Sequence, residues 1–118
     1  MRLRGRGDET SYRGSVLTIE QIRQLLSEGK YELTLHALHR VVERNISASE
    51  ILQAGESVEL IEDYPTDKYG PTSLLLGWTD AKRPLHLHVS RSENLKVKII
   101  TLYEPTEAEW INFKTRRL

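Results

Sequence analysis

The sequence contains no cysteine and has one methionine and one phenylalanine. Without thiols there is no disulfide framework, no thiolate nucleophile, no cysteine-held zinc and no iron–sulfur cluster. Long apolar runs are missing too, and nothing approaches the roughly 18 residues that span a bilayer. The basic opening MRLRGRGDETSYRGS is followed by no apolar core, so it does not read as a secretion signal. Neither GxGxxG nor a P-loop occurs, which disfavours nucleotide-cofactor enzymes. GxSxG is also absent, which disfavours familiar acyl transfer. Net charge is zero, with 17 Lys and Arg against 17 Asp and Glu. Such a chain does not coat nucleic acid indiscriminately. What remains is 118 residues, 38% hydrophobic and 29% charged, a composition that builds a core. We expect one domain, cytoplasmic, with no cofactor and no membrane contact.

The neutral total conceals a layout. The balance is +2 over residues 1–49, −6 over 50–80 and +4 over 81–118. Eleven of the 17 basic residues are Arg, the side chain suited to bidentate phosphate contact. A local basic face that touches a few phosphates is therefore compatible with neutrality.

Residues 1–15 hold four Arg and three Gly with little apolar content, which predicts a flexible basic arm. A single domain is expected over 16–118. Thr18 with Gln21 forms a capping box, and Ile19, Ile22, Leu25 and Leu26 follow at helical spacing, so a helix is predicted over 18–28. Thr34 caps a second helix over 35–45, with Leu35, Leu38 and Val42 read as its core face. Ser47 with Glu50 opens a third, which Gly55 ends. The period then changes to two. Strands are predicted over 58–63, 73–79, 85–91 and 95–103. A last capping box, Thr106 with Glu109, precedes a turn around Trp110. Lys114, Arg116 and Arg117 read as a solvated tail, with a phosphate contact as the lesser alternative. Hairpin-length connections imply antiparallel pairing. The fold class is α+β, with N-terminal helices packed on a four-stranded antiparallel sheet. The uncovered face should display His86, His88, Lys96 and Lys98.

Three groups of residues could carry chemistry. In LTLHALHRVVERNIS, His36 and Arg40 lie one helical turn apart, and Arg44 continues the stripe. Imidazole moves protons near neutral pH and guanidinium neutralises a charged transition state, a pair suited to a phosphodiester. The plainer alternative is a solvated polar face. In LHLHVS, His86 and His88 leave a strand on one side, an arrangement that could ligate a metal if His36, His39 or an acid from 56–67 supplied the remaining ligands. No HExxH signature accompanies it, and two polar residues on a half-exposed sheet face are the plainer alternative. In IITLYEP, Thr101 and Tyr103 share a side. A strand-end Tyr can bind phosphate or serve as a core aromatic with its hydroxyl at the rim. Only Trp78 and Tyr103 are aromatic within the predicted strands, too few for a stacking platform.

These motifs resemble the bacterial domain of unknown function 4258. The likeness rests on Thr34, His36, Ala37, Arg40, Arg44, Ile46 and Ser47, then Gly55 and Glu56, YPTDKYGPTSLLLG, PLHLHV at 84–89 and IITLYEP at 99–105. It covers about residues 30–105. The resemblance implies a fold like the RelE, barnase, EndoU and colicin ribonucleases, and a toxin encoded beside an antitoxin. Carried over, His36, Arg40, His86, Thr101 and Tyr103 match the recurrent polar positions, while His88 stands where that family is more often apolar.

The expectation is a metal-independent endoribonuclease of the toxin–antitoxin type. Catalysis would fall to His36, Arg40, His86 and Tyr103, with His36 or His86 as general base and the other protonating the leaving oxygen. Arg44, His88, Lys96, Lys98 and Thr101 would contact RNA, and no residue would hold a metal. Partners would be RNA and an antitoxin. The alternative is a non-catalytic interaction module with a structural His/Arg network. His36 on a helix and His86 on a sheet face can meet only if the helix packs at the edge or end of the sheet.

Overall fold

The computed structural model describes residues 16–118. The arm expected at 1–15 lies outside the described residues. Helix α1 (Ile19–Ser27) starts where predicted, with Thr18 and Gln21 exchanging backbone and side-chain hydrogen bonds. It buries Ile22 and Leu26. Gly29, at φ +74°, ends it. The Gly29 N–H donates to the Leu26 carbonyl and the Lys30 N–H to the Leu25 carbonyl, a Schellman closure.

The chain then forms a strand that periodicity did not disclose, β1 (Tyr31–Leu33), before α2 (Leu35–Glu43) and α3 (Ala48–Gly55). Four longer strands follow: β2 (Glu59–Tyr64), β3 (Thr72–Trp78), β4 (Pro84–Ser90) and β5 (Val97–Tyr103). Their order in the sheet is β1-β5-β4-β3-β2. Three pairings are antiparallel, but β1 runs parallel to β5, with Tyr31, Glu32 and Leu33 opposite Val97, Lys98 and Ile99. The sheet is thus five-stranded and mixed, which corrects the expected four antiparallel strands. A three-residue strand is too short to show alternation, and its partner lies more than sixty positions away.

The core lies between the helices and one sheet face, around Leu75, Leu85, Leu87, Val89, Ile99 and Leu102. The expected core face of α2 is corrected. Leu35, Leu38 and Val42 are exposed at 69%, 48% and 76%, and Ala37 with Val41 packs inward instead.

A β-bulge between β4 and β5 decides the opposite face. Val89 pairs with Ile99 but His88 pairs with Thr101, leaving Ile100 as the extra residue. Strict alternation would put Thr101 and Tyr103 on the face of Ile99. The bulge turns them over, beside His88 and His86. A similar irregularity at Ile61 puts Glu62 opposite Leu74 and Tyr64 opposite Thr72.

The C-terminal residues fold back rather than forming a solvated tail. Strands β6 (Trp110–Ile111) and β7 (Thr115–Arg116) make a hairpin. Its turn holds Asn112 and Phe113 at φ +53° and +61°. Trp110 is buried against the His86 ring at a centroid distance of 4.4 Å, and Phe113 meets Trp78 at 5.7 Å. Lys114 pairs with Glu59 at 3.3 Å and Arg116 with Glu62 at 2.9 Å, tying the hairpin to β2. No helix among the described residues is long and apolar enough to cross a membrane.

Candidate active site

One hydroxyl sets the position of α2. Thr34 Oγ1 accepts from the Ala37 N–H at 3.0 Å, capping the helix, and donates to the Ile100 carbonyl at 2.7 Å. The Thr34 N–H donates to the Ile99 carbonyl at 3.1 Å. The helix is therefore stapled to β5 at the point where pairing with β1 stops. Beyond that point the second half of β5 has no strand on its outer side among the described residues, and α2 packs there. At the other end of α2, the Arg83 guanidinium donates to the carbonyls of Arg44 and Asn45 at 2.9 and 3.1 Å. It also pairs with Glu50 and Glu104.

As a result a helix and a sheet face share one groove. A polar lobe of about 450 Å³ is lined by His36, Arg40, Arg44, Thr101, Tyr103 and Arg116, and also by Glu104 and Glu109. A second lobe of about 700 Å³ is lined by Tyr64, Asp67, Leu74 and His88. Thr101, Tyr103 and Arg116 line both. Arg40 pairs with Glu43 at 3.0 Å, an exposed pair that does little to restrain it.

His86 does not join His36 in this groove. Its side chain is fully buried beneath the hairpin, with both ring nitrogens occupied. The Phe113 carbonyl, 2.7 Å from Nε2, can only accept, so the proton sits on Nε2. Nδ1, 3.2 Å from the Tyr103 oxygen, then accepts from the Tyr103 hydroxyl. Burial holds His86 below the ordinary histidine range and raises the Tyr103 phenol. The left-handed backbone at Phe113, rare for an aromatic residue, belongs to the turn that presents this carbonyl. His86 is therefore bonded to Tyr103 and lines neither lobe. The expected His36–His86 pair is corrected to a His86–Tyr103 pair.

His88 lines the second lobe. Its Nε2 lies 2.9 Å from Thr72 Oγ1, and that hydroxyl donates to Asp67 Oδ2 at 2.8 Å. The Tyr64 ring meets the imidazole edge-on at 5.8 Å. The Thr72 hydrogen bond holds the Asp67 carboxyl below its usual range. Of the two lysines expected on RNA, Lys96 lies in a separate crevice against α1, and Lys98 lines neither lobe. Among the described residues no cluster of three or more His, Asp or Glu could hold a metal ion.

Three participants were not among the leading sequence candidates. Arg116, at the junction of the lobes, belongs to the basic end, for which a phosphate contact is the lesser reading. It bonds Glu62 through two nitrogens and lies 4.6 Å from the Trp110 ring centroid. Tyr64 bonds the same carboxylate. Burial opposes ionisation of Glu62, and the Arg116 and Tyr64 hydrogen bonds outweigh it, so this carboxyl also titrates low. The third, Asp67 working through Thr72, had a faint signal: an acid and a hydroxyl flanking a Gly-Pro turn.

The chain belongs to the family described as Domain of unknown function (DUF4258), whose family model matches residues 33–104. No curated protein and no solved structure matches it. The matched residues include β4 with its two histidines, α2 and the bulge. They exclude α1 and the C-terminal hairpin that supplies Arg116.

Proposed function

We propose that this member of the DUF4258 family is a metal-independent endoribonuclease of the toxin type, with a fold related to the RelE and barnase ribonucleases. One observation carries the reading: α2 lies along the free half of β5, so His36, Arg40 and Arg44 line the same groove as Thr101, Tyr103 and Arg116. A phosphodiester in the polar lobe meets the guanidinium groups of Arg40, Arg44 and Arg116, which can neutralise its developing charge. Tyr103, its hydroxyl proton held by His86 Nδ1, turns its oxygen lone pairs to the groove and can accept from a ribose hydroxyl. His36, exposed on the first turn of α2, supplies one proton transfer.

Incubation of the full chain with mixed RNA in EDTA tests this directly. Cleavage that His36→Ala and Arg40→Ala abolish supports the reading. Absence of cleavage by the wild-type chain, with and without ribosomes, overturns it.

A second reading is a non-catalytic interaction module. It draws on the exposed stripe Leu35, Leu38 and Val42, the kind of apolar surface that marks protein contacts. An antitoxin would then be the partner, and the −6 segment 50–80 a further docking face. The same assay separates the two, because a module cleaves nothing.

A further inference from the structure

We infer that His88, held through Thr72 by Asp67, is the general base of the second lobe and acts on a ribose 2′-hydroxyl. The inference rests on the ribonuclease reading above and assigns the proton transfer that His86 cannot perform.

Three features carry it. The first is a relay of defined polarity. Ionised Asp67 can only accept, so the Thr72 hydroxyl donates to it at 2.8 Å. Thr72 Oγ1 is then left to accept from His88 Nε2–H at 2.9 Å. Neutral His88 is thereby kept as the Nε2–H tautomer, with Nδ1 carrying the lone pair. The Asp67 carboxylate, 4.0 Å from Nε2, steadies the imidazolium that forms when Nδ1 gains a proton.

The second is placement. His88 pairs across strands with Thr101, on the shared floor of the groove, whereas His36 belongs to the other lobe. A phosphate held at Thr101 and Arg116, which line both lobes, therefore has one histidine on each side. In-line displacement requires this arrangement of base and acid.

The third is the protonation state. Burial keeps His88 below the usual histidine range, with Asp67 opposing that shift, so near neutral pH the ring is a base. The titratable or charged groups around it are Asp67 from the β2–β3 turn, Tyr64 and Asp63 from β2, Tyr103 from β5 and Arg116 from the hairpin. The Asp63 carboxylate is turned toward Ser73 and Arg91, at 2.6 and 3.7 Å.

The step balances. His88 Nδ1 takes the 2′-hydroxyl proton and O2′ bonds to phosphorus. The P–O5′ bond breaks, and the departing 5′-oxygen takes a proton from the His36 imidazolium. The products are a 2′,3′-cyclic phosphate and a 5′-hydroxyl end, and both histidines reset by exchange with water.

The test uses the full chain and a single-stranded oligoribonucleotide in EDTA, with kcat/KM followed against pH. His88→Ala should lose about a hundredfold or more, the usual range for a missing acid–base group. His88→Gln, which keeps a donor for Thr72, guards against misfolding and should lose as much. Asp67→Asn should move the acidic limb of the profile to lower pH, because the imidazolium loses its counter-charge. Nitrogen NMR of the wild-type chain should show His88 as the Nε2–H tautomer, and Thr72→Val should mix the two tautomers. A folded His88→Gln chain that cleaves like the wild type, while His36→Ala is inactive, overturns this inference and leaves the ribonuclease reading standing. An Nδ1–H tautomer in the wild type overturns it as well. A wild-type chain that never cleaves RNA overturns both.

Discussion

The Tyr103 hydroxyl donates to Nδ1 of His86, a ring sealed from solvent by Trp110 and the Phe113 carbonyl. Tyr103 thus has a buried anchor on one side and the groove on the other. Tyr103→Phe leaves a buried acceptor without its donor and should cost about 1–3 kcal/mol. Urea denaturation measures the loss. RNA cleavage should fall as well, because the hydroxyl oxygen that accepts in the groove is gone.

Thr34 ties α2 to β5 through one hydroxyl. Thr34→Val keeps the shape but removes both bonds. A lost N-cap alone costs about 0.5–2 kcal/mol. Activity should fall further than stability explains, because His36, Arg40 and Arg44 all ride on that helix. Thr18→Val removes a comparable cap from α1, away from the groove, and should lower stability alone.

Arg44, Arg116 and the two lysines make a charge-matched comparison. Arg44→Ala and Arg116→Ala should each weaken binding to single-stranded RNA and make its salt slope shallower by about 0.7 for every phosphate no longer neutralised. Lys96→Ala and Lys98→Ala, outside both lobes, should leave affinity and slope unchanged. Filter binding across a salt series reads all four.

Stability should fall in mild acid. Burial depresses both His86 and His88 in the folded chain. The unfolded chain, whose histidines titrate near about 6.5, takes up protons first. Stability is therefore whole above that pH, declines as pH drops through it, and levels off below the folded-state values. Replacing both residues by Gln should flatten urea midpoints across this window, and either single replacement should flatten them in part.

The helix α2 separates pattern from packing. Leu35→Glu and Val42→Lys lie at exposed positions and should change stability by no more than about 0.5 kcal/mol. Ala37→Val, at a fully buried position, should cost about 1–3 kcal/mol by overpacking. Thermal melts of the three variants compare them directly.

Local chemistry was legible from the residues. Capping boxes at Thr18 and Ser47, the cap at Thr34 and the glycine stop at Gly29 are short-range hydrogen-bonding devices, and each stands where its motif lies. Strands β2 to β5 followed from alternation and turn residues to within two positions. The face that α2 buries did not follow, because the apolar stripe Leu35, Leu38 and Val42 is the more hydrophobic side, yet the sheet takes the side carrying small Ala37. Helix-to-strand approach there is set by the Thr34 anchor rather than by hydrophobicity.

Of the candidate site, His36, Arg40, Arg44, Thr101 and Tyr103 were named from sequence and do line one lobe. That they meet depends on two long-range events that no local pattern encodes. A three-residue parallel strand ends at Leu33, opposite Ile99, and frees the edge of β5, and one extra residue, Ile100, turns Thr101 and Tyr103 to the open face. The hairpin at 110–116 is likewise decided by partners far along the chain, Glu59, Glu62 and His86, which bury the expected catalytic histidine and bring Arg116 into the groove. Periods, caps and turns are written in neighbouring residues. Register, bulges and the burial of His86 depend on contacts between segments that only the folded chain brings together.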